Sequence, residues 1–244
     1  MTVLERSSVQ WGHTSIRYAV RRSARRVTVS IAVDPRGGVL LTAPAATSID
    51  RLDRVVRTKA RWIVQRLRRE SDLPPPPADR EFVSGETFRY LGTQYRLRVQ
   101  QERATHVVLQ HGHLVVSCPE AGDARRQAPA VRNALVVWYR RQAARRLPEL
   151  AVAWAKRLGV AVTAVGLREQ RRRWGSCDRA GSLRLNWRIV QAPRPCIEYV
   201  VAHEVVHVRH PNHTPAFWAA LGRLLPDYDR RRGRLRELGP SLLW

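Results

Sequence analysis

Histidines four residues apart on a helix share a face, and His203 and His207 have that spacing in Tyr199-Val-Val-Ala-His-Glu-Val-Val-His207. With side chains roughly 5–6 Å apart, both can turn an imidazole nitrogen toward one zinc ion at about 2.0–2.1 Å. Glu204, one position on, lies beside such an ion rather than on it. It can take a proton from a water that the metal acidifies and later return it to a leaving group. The apolar neighbours strengthen this reading, because polar groups in such a stretch are costly unless they have partners. The H-E-x-x-H pattern therefore points to metal-dependent hydrolysis, with chance spacing on a core helix as the alternative.

A four-coordinate catalytic zinc needs a third protein ligand and an open position. His213, five residues after His207 across Pro211-Asn212, can fold back from the helix end to supply it, and Pro211 favours such a turn. His210 competes for the role. On one straight helix it would stand about 10.5 Å along the axis from His203, too far for three imidazoles to converge without strain. The spacing therefore favours His213 and leaves His210 beside the site or exposed. An imidazole-rich, four-coordinate set suits zinc, one ion per chain, although affinity order alone leaves nickel, cobalt and iron open.

The elements that must position these residues can be read backwards from the metal helix, expected over residues 197–209. Before it come a strand over 161–168, a turn around Trp174-Gly-Ser-Cys177 and Gly181, and a strand over 183–190 that sends Leu183, Leu185, Trp187 and Ile189 into the core. A long helix over 129–157 precedes them, with Pro148 expected to kink or divide it and Gly159 to close it. Further upstream, residues 81–99 and 105–117 alternate as strands punctuated by Gly85, Gly92 and Gly112. The proline run Pro74–Pro77 reads as a stiff linker. Ser48 caps a helix that carries Ile49, Leu52, Val55, Val56, Ala60, Ile63 and Leu67 at helical spacing. Residues 15–44 read as short strands, with Val27, Val29 and Ile31 alternating before a turn at residues 34–38. No internal repeat is evident. The mixture is segregated rather than alternating, which predicts an α+β fold: a β-hairpin and helix region over 1–78, a second strand-rich region over 79–127 and a catalytic region over 128–244.

Several residues near the motif are candidates for the substrate side. The Arg171–Arg173 run could steady an oxyanion or grip a phosphate, since guanidinium donors suit both, although most arginine runs are solvated faces. Trp174 either lines the cleft or packs beside Gly175. Asn186 and Arg188 are expected to project from their strand on the side opposite its core residues. Tyr228 reaches an oxyanion only if the last helix folds over the cleft. Phe217 and Trp218 should anchor a helix capped by Thr214, and Cys177 reads as inert packing.

The 244 residues carry 44 Lys+Arg against 20 Asp+Glu, a formal charge of +24, and such a surface attracts nucleic acid or nucleotides. Lys59 and Lys156 are the only lysines, so the excess is arginine and could equally reflect codon composition. No segment has the length and hydropathy of a signal peptide or a spanning helix, and Cys118, Cys177 and Cys196 form no C-x-x-C pair. These features fit a cytoplasmic protein without a disulfide framework and leave its oligomeric state open.

Beyond the motif, Arg173-Trp-Gly-Ser-Cys177, Leu185-Asn-Trp-Arg188, Ala192-Pro193 and Asn212-His-Thr-Pro-Ala-Phe-Trp218 resemble the YgjP-like metallopeptidase family, which is related to SprT-like zinc proteases. The resemblance reaches upstream through Arg21-Arg-Ser-Ala-Arg-Arg26, Ala43-Pro44 and Tyr90-Leu-Gly92. It implies a minigluzincin-like domain in which the metal helix packs under a short sheet whose edge strand can hold an extended peptide, and it gives the third ligand as His213. Fold and motif do not fix substrate. Three activities are therefore expected to compete: a zinc metalloendopeptidase, a nucleoside triphosphate pyrophosphatase using the same site, and a protease acting on nucleic-acid-bound partners.

Elemental analysis of the purified chain is expected to find about one zinc per chain, largely lost in His213→Ala and kept in His210→Ala. Absent metal, or metal retained fully without His213, would break the ligand assignment in favour of His210 or of a non-catalytic site.

Overall fold

Alternating apolar residues build two small four-stranded sheets, and a third sheet carries the approach to the metal motif. The computed structural model describes residues 4–34, 38–71, 80–123, 125–170 and 173–244, in two units, Met1–Pro75 and Pro76–Trp244. The proline run Pro74–Pro77, Arg171 and Arg172, and residues 35–37 of the first turn lie outside the described residues.

In the first unit β1 (Glu5–Trp11) and β2 (Thr14–Ser23) form an antiparallel hairpin, as do β3 (Ser30–Asp34) and β4 (Gly38–Pro44), while β2 runs parallel to β4. The sheet order is β1-β2-β4-β3. Ile16, Tyr18 and Val20 of β2 and Val39, Leu41 and Ala43 of β4 all point to one face, as period-two alternation requires. Helices α1 (Ile49–Thr58) and α2 (Ala60–Ser71) share a core with that face through Leu52, Val56, Ala60, Ile63 and Val64. Ser48 caps α1 by accepting from the Arg51 amide. Two details depart from the sequence reading. Strand β1 was not expected, because Val9 is its one buried residue and no apolar alternation marks it. Val27 is 92% exposed and lies outside β3, which begins only at Ser30.

In the second unit β5 (Thr87–Tyr90), β6 (Thr93–Gln101), β7 (His106–Gln110) and β8 (His113–Cys118) repeat the same plan, hairpin, parallel pair, hairpin, in the order β5-β6-β8-β7. This is a repeat of topology, which leaves the absence of an evident repeat in the residues standing. The plan recurs in topology, and alternation can specify it without shared residues. Helix α3 (Gln127–Leu158) follows, closed by Gly159 at φ 67°, ψ 44°. Pro148 does not divide it. The ring removes one amide donor, but Ala143, Leu147 and Ala151 on either side are fully buried and hold the helix in register.

The third sheet has β9 (Ala164–Arg168), β10 (Gly175–Cys177) and β11 (Ser182–Asn186) in the order β10-β11-β9, with β9 and β11 parallel and β10 at an edge. A 3-10 turn over Trp187–Gln191 leads into α4 (Arg194–Val206), followed by α5 (Pro215–Leu224), α6 (Tyr228–Leu238) and a last 3-10 turn over Gly239–Leu242. Leu183, Leu185, Trp187 and Ile189 are fully buried as expected, but the strand expected over 183–190 ends at Asn186, so Trp187 and Ile189 are buried from the 3-10 turn rather than by strand alternation. Among the described residues, no helix is long and apolar enough to cross a membrane.

The lead-in to α4 is gripped from outside. The β5–β6 turn has Leu91 at φ 51° and Gly92 at φ 88°, the positive pair that a tight two-residue hairpin needs. That conformation aims the Leu91 amide at the Val190 carbonyl, 2.8 Å away, and the Gly92 amide at the Gln191 carbonyl, 3.2 Å away. A Cβ on Gly92 would stand 2.8 Å from the Pro193 Cα. A Cβ on Gly112, at φ 75°, would have nothing within 4 Å, which makes it a matched control. Denaturant melts are expected to cost Gly112→Ala about 1 kcal/mol from backbone strain, and Gly92→Ala at least about 2 kcal/mol because a steric clash is added.

Candidate metal centre

Helix α4 is buried nearly all round: Cys196, Ile197, Tyr199, Val200, Val201, Ala202, Val205 and Val206 are apolar and buried, and Glu204 lies among them at 7% exposure. His203 and His207 occupy the half-buried remaining face, one turn apart, with the His207 amide 3.4 Å from the His203 carbonyl. The chain then leaves the helix through a turn in which the His210 amide donates to Val206. The His210 carbonyl lies 3.0 Å from His207 Nδ1, and since a carbonyl only accepts, the ring carries its proton there and keeps a lone pair on Nε2. Thus His210 serves through its backbone. Beyond Pro211-Asn212, His213 folds back until its Nε2 is 2.9 Å from His203 Nε2.

Among the described residues, His203, His207 and His213 form the cluster whose ligand atoms all lie within 4.8 Å of one another. On tetrahedral zinc, ligand nitrogens about 2.0–2.1 Å from the ion stand roughly 3.3 Å apart, so the three rings need only small shifts to share one. The electrostatics agree with that donor set. Burial, then the neighbouring His207 and His213, pushes His203 down to about 3, and burial lowers His207 as well, so both rings are neutral at pH 7. Neutral imidazole is the ligating form.

Phe217, fully buried on α5, has its ring centroid 4.9, 4.6 and 4.7 Å from the centroids of His203, His207 and His213, and fixes all three from one side. Trp218 stacks on His213 at 5.4 Å, and Tyr228 stacks on Trp218 at 5.6 Å. Thr214 sits at the N-cap of α5 without the expected side-chain cap bond. Glu204 is pushed up to about 7 by burial, with the Arg173 charge opposing. Cys177 is pushed up to about 11, chiefly by burial and then by the Glu204 charge, and so is no thiolate at neutral pH.

The substrate-side candidates divide. Arg173 is exposed and close enough for its charge to act on Glu204, and Tyr228 stands one ring removed from His213 because α6 does return to the site. Trp174 is half-buried with its indole against Gly239. Asn186 and Arg188 are not brought to the centre. The strand ends at Asn186, whose side chain caps the following 3-10 turn and donates to the Gln170 carbonyl. Arg188, 4% exposed, is paired with Glu169 at 3.0 Å and lies over the rings of Trp187 and Trp244. The expected alternation stops where the strand does, so both side chains turn inward.

Two contributors escaped the sequence reading. Gly175 on the edge strand lies against the general-base candidate: a Cβ there would stand 2.6 Å from Glu204 Cγ and 2.7 Å from Oε1. Its place in the Trp-Gly-Ser-Cys segment was a signal, but for turn geometry rather than for this contact. Arg232, on α6, lies 5.3 Å from the Trp218 ring and its charge helps lower His203. Within the run Arg230–Arg232 nothing distinguishes it by sequence.

A buried carboxylate next to converging neutral imidazoles is the constellation of a metal-dependent hydrolase. The YgjP-like metallopeptidase domain matches residues 27–238, and the chain belongs to that family. Among solved structures, the metallopeptidase zymogen abylysin of Pyrococcus abyssi is similar at 17% identity and a TM-score of 0.36, over 39% of this chain and 97% of that one. No curated protein gives a significant match.

If Gly175 exists to leave room for Glu204, Gly175→Ala is expected to retain its metal on elemental analysis while hydrolytic turnover falls about a hundredfold, the cost of a displacement near 1 Å. Unchanged turnover would dismiss the contact as incidental.

Proposed function

We propose that this protein is a zinc metalloendopeptidase acting on extended peptide, with His203, His207 and His213 as ligands and Glu204 as general base. The observation that carries the reading is the convergence of the three imidazoles beside a buried carboxylate at an open strand edge. Zinc held there would supply Lewis acidity, polarising a peptide carbonyl and acidifying a nearby water. Glu204, pushed up to about 7, is matched to taking a proton from the attacking water and handing it to the departing amine near neutral pH.

Among the described residues, strand β10 pairs only with β11, so its outer edge offers main-chain donors and acceptors to an added strand. Gly175 on that strand keeps the backbone beside Glu204 free of a side chain. A peptide laid along β10 would pass next to the base. Trp218 and Tyr228 would wall the site from the α5 and α6 side, with Tyr228 and Arg232 as candidates to donate toward an oxyanion.

A second reading is hydrolysis of a nucleoside triphosphate, which rests on the two guanidinium groups, Arg173 and Arg232, whose charges act on Glu204 and His203. The two readings separate in one assay. The zinc-loaded chain is expected to cleave an unfolded protein, to lose that activity to a chelator, and in Glu204→Gln to fall about a thousandfold with zinc content unchanged. Release of phosphate or pyrophosphate from nucleotides with no peptide cut would replace the peptidase reading by the second.

A further inference from the structure

We propose that the outward face of the α1–α2 helix pair is a binding surface for single-stranded nucleic acid. The proposal stands on the Met1–Pro75 unit and is independent of the metal centre.

The helices keep one register through their junction. Lys59 donates to the Val55 carbonyl and Ile63 to the Lys59 carbonyl, so residues three and four apart remain neighbours from α1 into α2. The apolar side is committed to the core, leaving a polar side in which cations predominate: Arg51, Arg54, Arg57, Lys59 and Arg61 are all exposed, beside Asp50, Thr58 and Gln65. Arg51, Arg54, Thr58 and Lys59 come together around an open groove floored by Val55.

An arginine-rich composition alone would not distinguish this face, but the pairing of the charges does. On α6, Arg230 and Arg231 are paired with Asp227, Arg231 also with Glu198, and Arg232 with Asp229. These five cations, Arg51, Arg54, Arg57, Lys59 and Arg61, have no carboxylate partner among the described residues. Asp53 accepts the Tyr18 hydroxyl at 2.6 Å, and Arg54 reaches the main-chain carbonyl of Asp50 rather than its carboxylate. Uncompensated cations along a ridge fit a polyanion.

Trp62 selects among polyanions. It is 48% exposed, one turn beyond Thr58, so the ridge from Arg51 to Trp62 runs about 16 Å and ends in a free indole. Cations that follow phosphates beside an aromatic face are the two parts of a single-strand site, since an unpaired base can stack where a paired one cannot. An anionic bilayer would instead call for an outward apolar face, which here is the buried one.

The test uses the full chain and a labelled single-stranded oligonucleotide, with anisotropy read across a salt series. Arg51→Glu/Arg54→Glu/Lys59→Glu is expected to weaken binding at least about tenfold. The logarithmic salt dependence should become shallower by roughly two, because each phosphate neutralised on a single strand adds about 0.7 to the slope. The same charge change in Arg103→Glu/Arg141→Glu/Arg145→Glu is expected to weaken binding less than about threefold. Trp62→Ala is expected to lose about fivefold or more on the single strand with circular dichroism unchanged. Arg54→Gln alone gives a milder version should the triple variant fail to fold. The proposal is overturned by absent binding at about 0.1 M salt, equal losses in the two triple variants, preference for duplex or for anionic vesicles, or indifference to Trp62→Ala.

Discussion

The structure around the metal centre is governed by one constraint: α4 is buried on almost every side and yet carries a carboxylate and two imidazoles. An ionised group in such surroundings is costly, and the chain shows the cost in Glu204, whose carboxyl is pushed up to about 7. The unfolded chain releases this proton near 4.5 and the folded chain only near 7, so stability falls between those values as pH rises. Above that window the full penalty stands, about 3 kcal/mol at 1.36 kcal/mol per unit. An apolar side chain there would be more stable in a marginally stable fold, and that expense fits the general-base role proposed for Glu204.

Holding a costly helix in place requires rigidity elsewhere, and it comes from both ends of α4. At the entrance, the β5–β6 turn donates two amides to the Val190 and Gln191 carbonyls. Gln191 in turn accepts from the Trp244 indole at 2.7 Å, and that ring packs among Phe82, Phe88, Tyr139 and Trp187. On the outer side, Arg231 of α6 pairs with Glu198 of α4 and with Asp227 at the start of α6. At the exit, Phe217 packs against all three imidazoles. Each brace acts on a different part of the helix, so together they fix its axial position and its rotation. Those are the two variables that decide whether His203, His207 and His213 can meet.

Much of this was legible in the sequence because its signals are local. Helical spacing gave His203, Glu204 and His207 one neighbourhood. Pro211 announced the turn that brings His213 back, and Gly159 marked the end of α3. What was not legible is non-local or depends on where an element stops. Asn186 and Arg188 were expected outward from an alternation over 183–190 that the chain abandons after Asn186, where a 3-10 turn takes over. Gly175 reads as turn chemistry, and its contact with Glu204 exists only once β10 is laid beside α4. Arg232 is one of three consecutive arginines, and packing alone selects it. Strand β1 has almost no apolar pattern because one side chain suffices to seat it on β2.

The repeated sheet plan shows how similar backbone frames support different work. In the second unit, the tip of the first hairpin is Leu91-Gly92, closely applied to the segment that enters α4. In the first unit the corresponding tip is Gly12-His13, where both residues are exposed and a Cβ on Gly12 would have nothing within 4 Å. The helices that follow differ in the same way. Helix α3 belongs to the large core that includes α4, whereas α1 and α2 spend their apolar side on their own sheet and leave cations outward. A frame specified only by alternation tolerates such divergence, since residues off the buried face are free to change. One copy has used that freedom to brace the helix that carries His203, Glu204 and His207, and the other to concentrate positive charge.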